Sequence, residues 1–148
     1  SDVAGISPWQ TVECMWDAGV RVEGYEIAQT DETGAFMYHP TSPRPGQTLR
    51  VELYLKALAP MDTNYSISVR AITPEGHLLA QDDSWPARGL MPTVVWPAGQ
   101  LLRDTHYLTL PMESLPNSLV LKVVMYDSAT LKRVGPASGC VLTAWGEE

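Results

Sequence analysis

The sequence predicts an all-β fold, an antiparallel β-sandwich of two sheets, and three observations support this. Several stretches of strand length alternate apolar with polar residues, a period of two that is typical of strands with one buried face. Glycine and proline occupy the gaps between these stretches. No long stretch holds the 3.6-residue apolar period of a helix. We expect an immunoglobulin-like strand order, with a jelly roll as the alternative that shares these signals.

The clearest predicted strand covers residues 48–57. Its odd-numbered positions are apolar and are predicted to face the core, whereas its even-numbered positions are polar or amphipathic. Residues 65–73 alternate in the same way. Residues 119–127 carry apolar side chains on both faces, including Val120 and Val124, and we therefore expect this strand to be central in its sheet.

The other strands are shorter or less regular. Gly24 shifts the phase of one of them and predicts a β-bulge. In the turn at 73–77, Pro74 presets φ and Gly76 can take the left-handed conformation. The whole chain, residues 1–148, is predicted to be one domain, in which residues 1–19 form an irregular lead-in packed on the sandwich. The remaining predicted strands are 20–27, 35–39, 78–82, 93–96, 101–110 and 140–144, with a short edge at 133–134.

Composition and charge argue against two classes of partner. The net charge is −7 and the isoelectric point is about 4.8, so the average field repels nucleic acid and anionic membrane surfaces. No apolar run approaches the roughly 20 residues that cross a bilayer, so we expect no direct membrane insertion of this chain. The chain begins at Ser1 without an initiator Met or a signal-peptide pattern, and we expect it to be a fragment of a longer protein.

The two cysteines, Cys14 and Cys140, lie near opposite ends of the chain. A disulfide between them would contribute roughly 4–5 kcal/mol by restricting the unfolded chain. The alternative is two separate buried thiols that pack as small apolar residues. If the disulfide forms, it indicates an oxidising compartment.

From residue 43 onward the chain resembles a known domain family. The shared positions are Pro45-Gly46-Gln47-Thr48-Leu49, the strand 51–57, Asp62, Asn64, Tyr65, Pro74-Glu75-Gly76, Ala80-Gln81-Asp82, Pro92-Thr93, Trp96-Pro97-Ala98-Gly99-Gln100, Asp104, 108–111, 123–127 and Arg133.

This pattern resembles the immunoglobulin-like C-terminal domain of bacterial membrane-spanning glycosyltransferase-like proteins, which look like dolichyl-phosphate-mannose protein mannosyltransferases. One position departs from the family pattern, because Thr130 is followed by Leu131 where the family usually carries glycine. The resemblance implies an accessory domain of a membrane-bound cell-envelope protein, located outside the cytoplasm. It carries over no catalytic residue, since the family's catalytic machinery belongs to the membrane portion.

Candidate catalytic residues are few. The chain has no Gly-x-Ser-x-Gly elbow. Asp104 and His106 lie two residues apart on one predicted strand face. A catalytic base and the acid that orients it need this proximity, so a small hydrolase is the second alternative to a non-catalytic domain. Asp82 and Asp83 are adjacent and face opposite ways, which prevents them from flanking one bond as an acid–base pair. Calcium-loop and zinc-ligand spacings are absent from the sequence, and we expect no metal or cofactor.

Four residues near the long 83–100 segment are candidates for ligand binding. They define the first alternative to our main prediction, which is a carbohydrate-binding module. In such a module Trp85 would stack on a sugar ring while Asp82, Asp83 and Arg88 bind its hydroxyls. Trp96, flanked by Val95 and Pro97, is instead expected in the core. Our main prediction is a non-catalytic domain, whose partner is a glycan or the parent membrane protein.

Overall fold

The computed structural model describes residues 10–38 and 41–146, and in these ranges the chain forms an all-β sandwich. Trp9 and His39 lie outside the described residues. The strands are β1 (Cys14–Trp16), β2 (Val20–Thr30), β3 (Phe36–Tyr38), β4 (Thr48–Ala57), β5 (Tyr65–Ile72), β6 (Leu78–Ser84), β7 (Leu101–Thr109), β8 (Leu119–Asp127) and β9 (Cys140–Trp145).

The strands form two antiparallel sheets, which confirms the predicted fold class. One sheet has the order β1-β2-β4-β7, with β3 also paired to β2, and the other has the order β6-β5-β8-β9. β1 and β3 occupy opposite ends of the same edge of β2, because β1 pairs with residues 20–22 and β3 with residues 28–30. β8 lies between β5 and β9, so its predicted central position is correct.

The core lies between the sheets and follows the sequence alternation. In β4 every odd-numbered side chain from Leu49 to Ala57 is fully buried, and Val69 of β5 and Val123 of β8 pack opposite them. Trp96 is 2% exposed and donates from Nε1 to the carbonyl oxygen of Gln100 at 3.0 Å, as a buried indole requires. Burying a side chain of Leu or Val size stabilises the fold by roughly 1.5–3 kcal/mol.

Two predicted irregularities are present. The pairing of β2 with β4 shifts between Val22 and Gly24, which is the expected bulge. Gly76 has a φ of +96°, and its amide donates to the carbonyl oxygen of Thr73 at 2.9 Å to close the β5–β6 hairpin.

The predicted strand at 93–96 is wrong. Residues 93–95 form a single 3₁₀ turn, in which the Val95 amide donates to the carbonyl oxygen of Pro92 at 3.0 Å. The buried hydroxyl of Thr93 accepts from the Tyr65 amide at 3.0 Å and donates to the carbonyl oxygen of Thr63. Because these contacts tie the segment to the β4–β5 loop, it turns inward there instead of pairing with a sheet. The expected edge at 133–134 is reduced to one bridge between Arg133 and Tyr126.

A disulfide joins Cys14 to Cys140, the pairing that the sequence left open, with their Cα atoms 5.9 Å apart. Cys14 begins β1 and Cys140 begins β9, so the bond links the edges of the two sheets. The lead-in contains the short strand β1 and a bridge from Gln10 to Tyr25. Within the described ranges, no helix combines the length and the apolar character needed to span a membrane.

Candidate ligand-binding site

The four predicted ligand-binding residues separate into two groups. Asp82 and Asp83 are neighbours on β6, and the pairing with β5 places Asp82 opposite the inward-facing Val69 and Asp83 opposite the outward-facing Ser68. Asp82 and Arg88 lie at the edge of the sandwich that β6 and β7 form. Asp83 and Trp85 contact side chains on the outer face of the four-stranded sheet.

On that outer face, Asp83 and Trp85 are engaged with neighbouring side chains. Asp83 accepts hydrogen bonds from the hydroxyls of Ser68 and Tyr126, both at 2.6 Å. The indole of Trp85, with the residue 37% exposed, donates to the hydroxyl of Ser128 at 3.0 Å. One edge of the Trp85 ring is therefore held, and its orientation is fixed on this face.

At the sandwich edge, His106 is fully buried between two aspartates. Its Nε2 lies 2.7 Å from Oδ2 of Asp104, which is also fully buried. Its Nδ1 lies 3.0 Å from the carbonyl oxygen of Asp82 and 3.2 Å from Oδ2 of the same residue. Both nitrogens therefore face acceptors. A neutral imidazole has one N–H and would leave one nitrogen lone pair against an acceptor, so this geometry requires the imidazolium.

The pKa values agree with this assignment. Burial lowers the pKa of His106, but the hydrogen bonds and charges of Asp104 and Asp82 outweigh burial and raise it to about 9. Burial raises the pKa of Asp82. Two effects outweigh burial and bring that pKa below its ordinary value: the hydrogen bonds from His106 and the Tyr107 amide, and the positive charges of His106 and Arg88.

This arrangement does not suit the hydrolase role considered for Asp104 and His106. A general base must accept a proton from the nucleophile, and a histidine with a pKa of about 9 already carries both protons at neutral pH. Asp104 and Asp82 take both ring nitrogens, and the ring has no exposed surface. The pair acts here as a structural ion cluster.

The same cluster holds the segment that follows β6. Oδ1 of Asp104 accepts from the Ala87 amide at 2.9 Å, and Nη1 of Arg88 donates to the carbonyl oxygen of Thr105 at 3.1 Å. Ala87 and Arg88 both have positive φ angles, 57° and 53°, a conformation that costs non-glycine residues energy. The hydrogen bonds to β7 offset that cost, and they position the Arg88 side chain at the rim of the five-stranded sheet.

The outer face of the five-stranded sheet carries a feature that the sequence interpretation missed. Arginine and aromatic side chains contact one another in a continuous group, which we call the arginine–aromatic row: Phe36, Tyr38, Arg50, Arg88 and Tyr107. The Arg50 guanidinium lies 4.7 Å from the centre of the Phe36 ring and 5.5 Å from that of Tyr38. Phe36 and Tyr107 have ring centres 6.1 Å apart, and the Arg88 guanidinium lies 5.4 Å from the Tyr107 ring.

Strand register produces this row. Tyr38 on β3 pairs with Ala28 on β2, Ala28 pairs with Arg50 on β4, and Arg50 pairs with Tyr107 on β7. Ala28, between these larger side chains, is only 1% exposed. Nη2 of Arg50 donates to the Tyr38 hydroxyl at 2.7 Å, which fixes both side chains.

Carboxylates lie beside the row, two residues further along the strands on the same sheet face. Glu26 on β2 pairs with Glu52 on β4, and both are largely buried. The Tyr54 hydroxyl donates to Glu26 and lies 3.3 Å from Glu52, while Arg50 forms an ion pair with Glu52 at 3.7 Å. Burial, and then the hydrogen bond and charge of Glu26, raise the pKa of Tyr54. The surface thus presents aromatic faces, guanidinium donors and carboxylate acceptors together.

In the part of the chain that the structure describes, no three His, Cys, Asp or Glu residues are grouped so as to hold a metal ion. The carboxylates of Asp82 and Asp83 are both bonded to protein donors and point in opposite directions.

Comparison with known proteins identifies a structure of similar fold but no family. No family model matches the chain, and no curated protein matches it. The crystal structure of the C-terminal domain of Wzt is similar, with a TM-score of 0.52 and 13% sequence identity over 94% of this chain and 75% of that one. At this identity the likeness shows a shared β-rich fold alone. None of these comparisons supports the resemblance to glycosyltransferase-like proteins.

Proposed function

We propose that this protein is a non-catalytic binding domain, an exported accessory part of a membrane-bound cell-envelope protein. The observation that carries the proposal is the exposed arginine–aromatic row. Exposed aromatic side chains gathered on one face of a stable scaffold are typical of binding surfaces. The His106 cluster, in contrast, is buried and neutralised, and its groups are bonded to one another and to the backbone.

Three observations support the accessory and exported parts of the proposal. The disulfide between Cys14 and Cys140 is of the kind that persists in oxidising compartments. The similar domain of Wzt is, by its name, the C-terminal part of a larger protein, so a fold of this kind occurs as an appended domain. The sequence resemblance to the domain that follows a membrane-spanning region points the same way.

An immunoglobulin-like strand order belongs to the same proposal. It is supported by the β5–β6 and β8–β9 hairpins within one sheet, and by the crossings from β4 to β5 and from β6 to β7 between sheets. In such sandwiches the strands form a scaffold, and loops or sheet faces provide the binding surface.

The test of export uses the full-length protein in its own cells. The gene sequence upstream of Ser1 is read for a multi-pass membrane region, and spheroplasts, in which any outer membrane has been opened, are treated with protease while a C-terminal tag is followed by immunoblot. We expect the tagged domain to be digested in spheroplasts. Protection in spheroplasts with digestion after lysis would place the domain in the cytoplasm and refute the export proposal.

Carbohydrate binding is the second candidate function, and one observation favours it. The row combines stacking surfaces with hydrogen-bonding groups of both kinds, which a sugar ring with an apolar face and hydroxyl edges requires. A glycan array probed with the purified domain tests it. Binding to a defined set of glycans supports carbohydrate binding, and the absence of binding across a diverse array refutes it.

A further inference from the structure

We infer that the arginine–aromatic row is the ligand site and that its ligand is an uncharged glycan, bound with sugar rings lying on Tyr38 and Tyr107. This inference rests on the carbohydrate-binding candidate and deepens it by moving the site away from Trp85. The face concerned belongs to the sheet β3-β2-β4-β7, whereas Trp85 contacts the outer face of the other sheet.

The aromatic part of the site is exposed and held in place. Tyr38 is 54% exposed and Tyr107 is 43% exposed, so each residue keeps surface that a partner can contact. Arg50 fixes the Tyr38 hydroxyl, and the Tyr107 ring lies against the Phe36 ring and the Arg88 guanidinium. A ring that is already ordered loses little conformational entropy on binding, which favours affinity for a stacked ligand.

The polar part of the site offers both donors and acceptors. Each guanidinium carries five N–H groups, and the contacts described above engage Nε and Nη2 of Arg50 and Nη1 of Arg88. The carboxylate of Glu52, two residues along β4 from Arg50, supplies acceptor oxygens. Sugar hydroxyls both donate and accept, so neighbouring groups of the two kinds suit the edge of a sugar ring.

Charge favours an uncharged ligand. Arg50 is paired with Glu52 at 3.7 Å and Arg88 with Asp82 at 3.4 Å, so nearby carboxylates offset the positive charges of the row. The chain as a whole carries a net charge of −7, which repels anionic polymers. Nucleic acid and strongly anionic glycans therefore fit this surface less well than neutral sugars.

The experiment compares matched variants on a glycan array, followed by calorimetric titration of the best neutral glycan. Tyr107→Ala removes one stacking ring, and Tyr107→Phe keeps the ring without the hydroxyl. Trp85→Ala is the matched control on the opposite sheet. Thermal unfolding of each variant, read by near-ultraviolet circular dichroism, shows that the fold is retained. Tyr38→Ala repeats the test at the other exposed ring, should Tyr107→Ala fail to fold.

We expect Tyr107→Ala and Tyr38→Ala to weaken binding about tenfold or more, which corresponds to about 1.4 kcal/mol. Trp85→Ala should bind within about twofold of the unmodified protein, and Tyr107→Phe, which keeps the stacking ring, should retain more binding than Tyr107→Ala. Binding that survives both alanine substitutions but is lost in Trp85→Ala would overturn the assignment of the site while keeping the carbohydrate function. Preference for anionic glycans would overturn the ligand class. No binding to any glycan would refute both the carbohydrate function and this site.

Discussion

His106 is expected to make the protein less stable as the solution becomes mildly alkaline. Its ring is buried between Asp104 and Asp82, and these two carboxylates raise its pKa from 6.5 to about 9. In the unfolded chain the histidine returns to a pKa near 6.5. The folded protein therefore binds this proton more tightly than the unfolded chain does.

The sign of the effect follows from linkage. Below pH 6.5 both states hold the proton, and the stabilisation is fully present. Between pH 6.5 and about 9 only the folded state holds it, so the free energy of unfolding falls as pH rises, and above about 9 the contribution is gone. One pKa unit corresponds to about 1.4 kcal/mol, so the pKa change of His106 is worth about 3 kcal/mol. For a protein of this size that is roughly 6–12 °C in Tm.

The assay is urea unfolding followed by tryptophan fluorescence, in steps of about half a pH unit across this window. The pKa values of three tyrosines are raised above 10, so these residues titrate outside this pH window: Tyr25, Tyr54 and Tyr126. His106→Gln should flatten the profile, and the matched control His77→Gln, at an exposed position, should keep it. A free energy of unfolding that stays level within about 0.5 kcal/mol across this window in the unmodified protein would refute the reasoning.

Three further changes test the fold. Replacing Cys14 and Cys140 together with serine should lower the free energy of unfolding by roughly 4–5 kcal/mol, because the unfolded chain is no longer closed into a loop; urea unfolding measures it, and an unchanged midpoint would contradict it. Gly139→Ala should cost more than about 2 kcal/mol, since φ is +81° and the new Cβ meets the carbonyl oxygen of Val123; a variant as stable as the parent would show that this backbone relaxes easily. Leu53→Ala should cost roughly 2–5 kcal/mol by leaving a cavity between the sheets, and a loss below about 1 kcal/mol in the same titration would mean that the core closes over it.

The features that sequence predicted well are those set by neighbours along the chain. The buried face of β4 follows directly from its alternation. The closeness of Asp104 to His106 follows from their spacing of two on one strand. The Pro74–Gly76 turn needs φ values that those two residue types supply locally. Each of these depends on a few consecutive residues.

The features that sequence missed depend on partners far away in the chain. Residues 93–96 contain two valines and a tryptophan and resemble a strand, but the hydroxyl of Thr93 binds the backbone of the distant β4–β5 loop and fixes a turn instead. The arginine–aromatic row was missed for the same reason. Tyr38 and Tyr107 are distant in sequence, and only the registers of β3 with β2, β2 with β4 and β4 with β7 align them.

The buried cluster and the exposed row are parts of one arrangement. Oδ2 of Asp82 accepts the backbone amide of Tyr107, pairs with Arg88 and faces His106. Two carboxylates and two cations balance one another there, so the cluster is neutral as a whole. Apolar side chains of similar volume would fill this edge without the cost of burying charge. They would provide no acceptor for the Tyr107 amide and no anchor for Arg88. We therefore interpret the ion cluster as a support that orders one end of the row, and one that weakens when His106 loses its proton in alkaline solution.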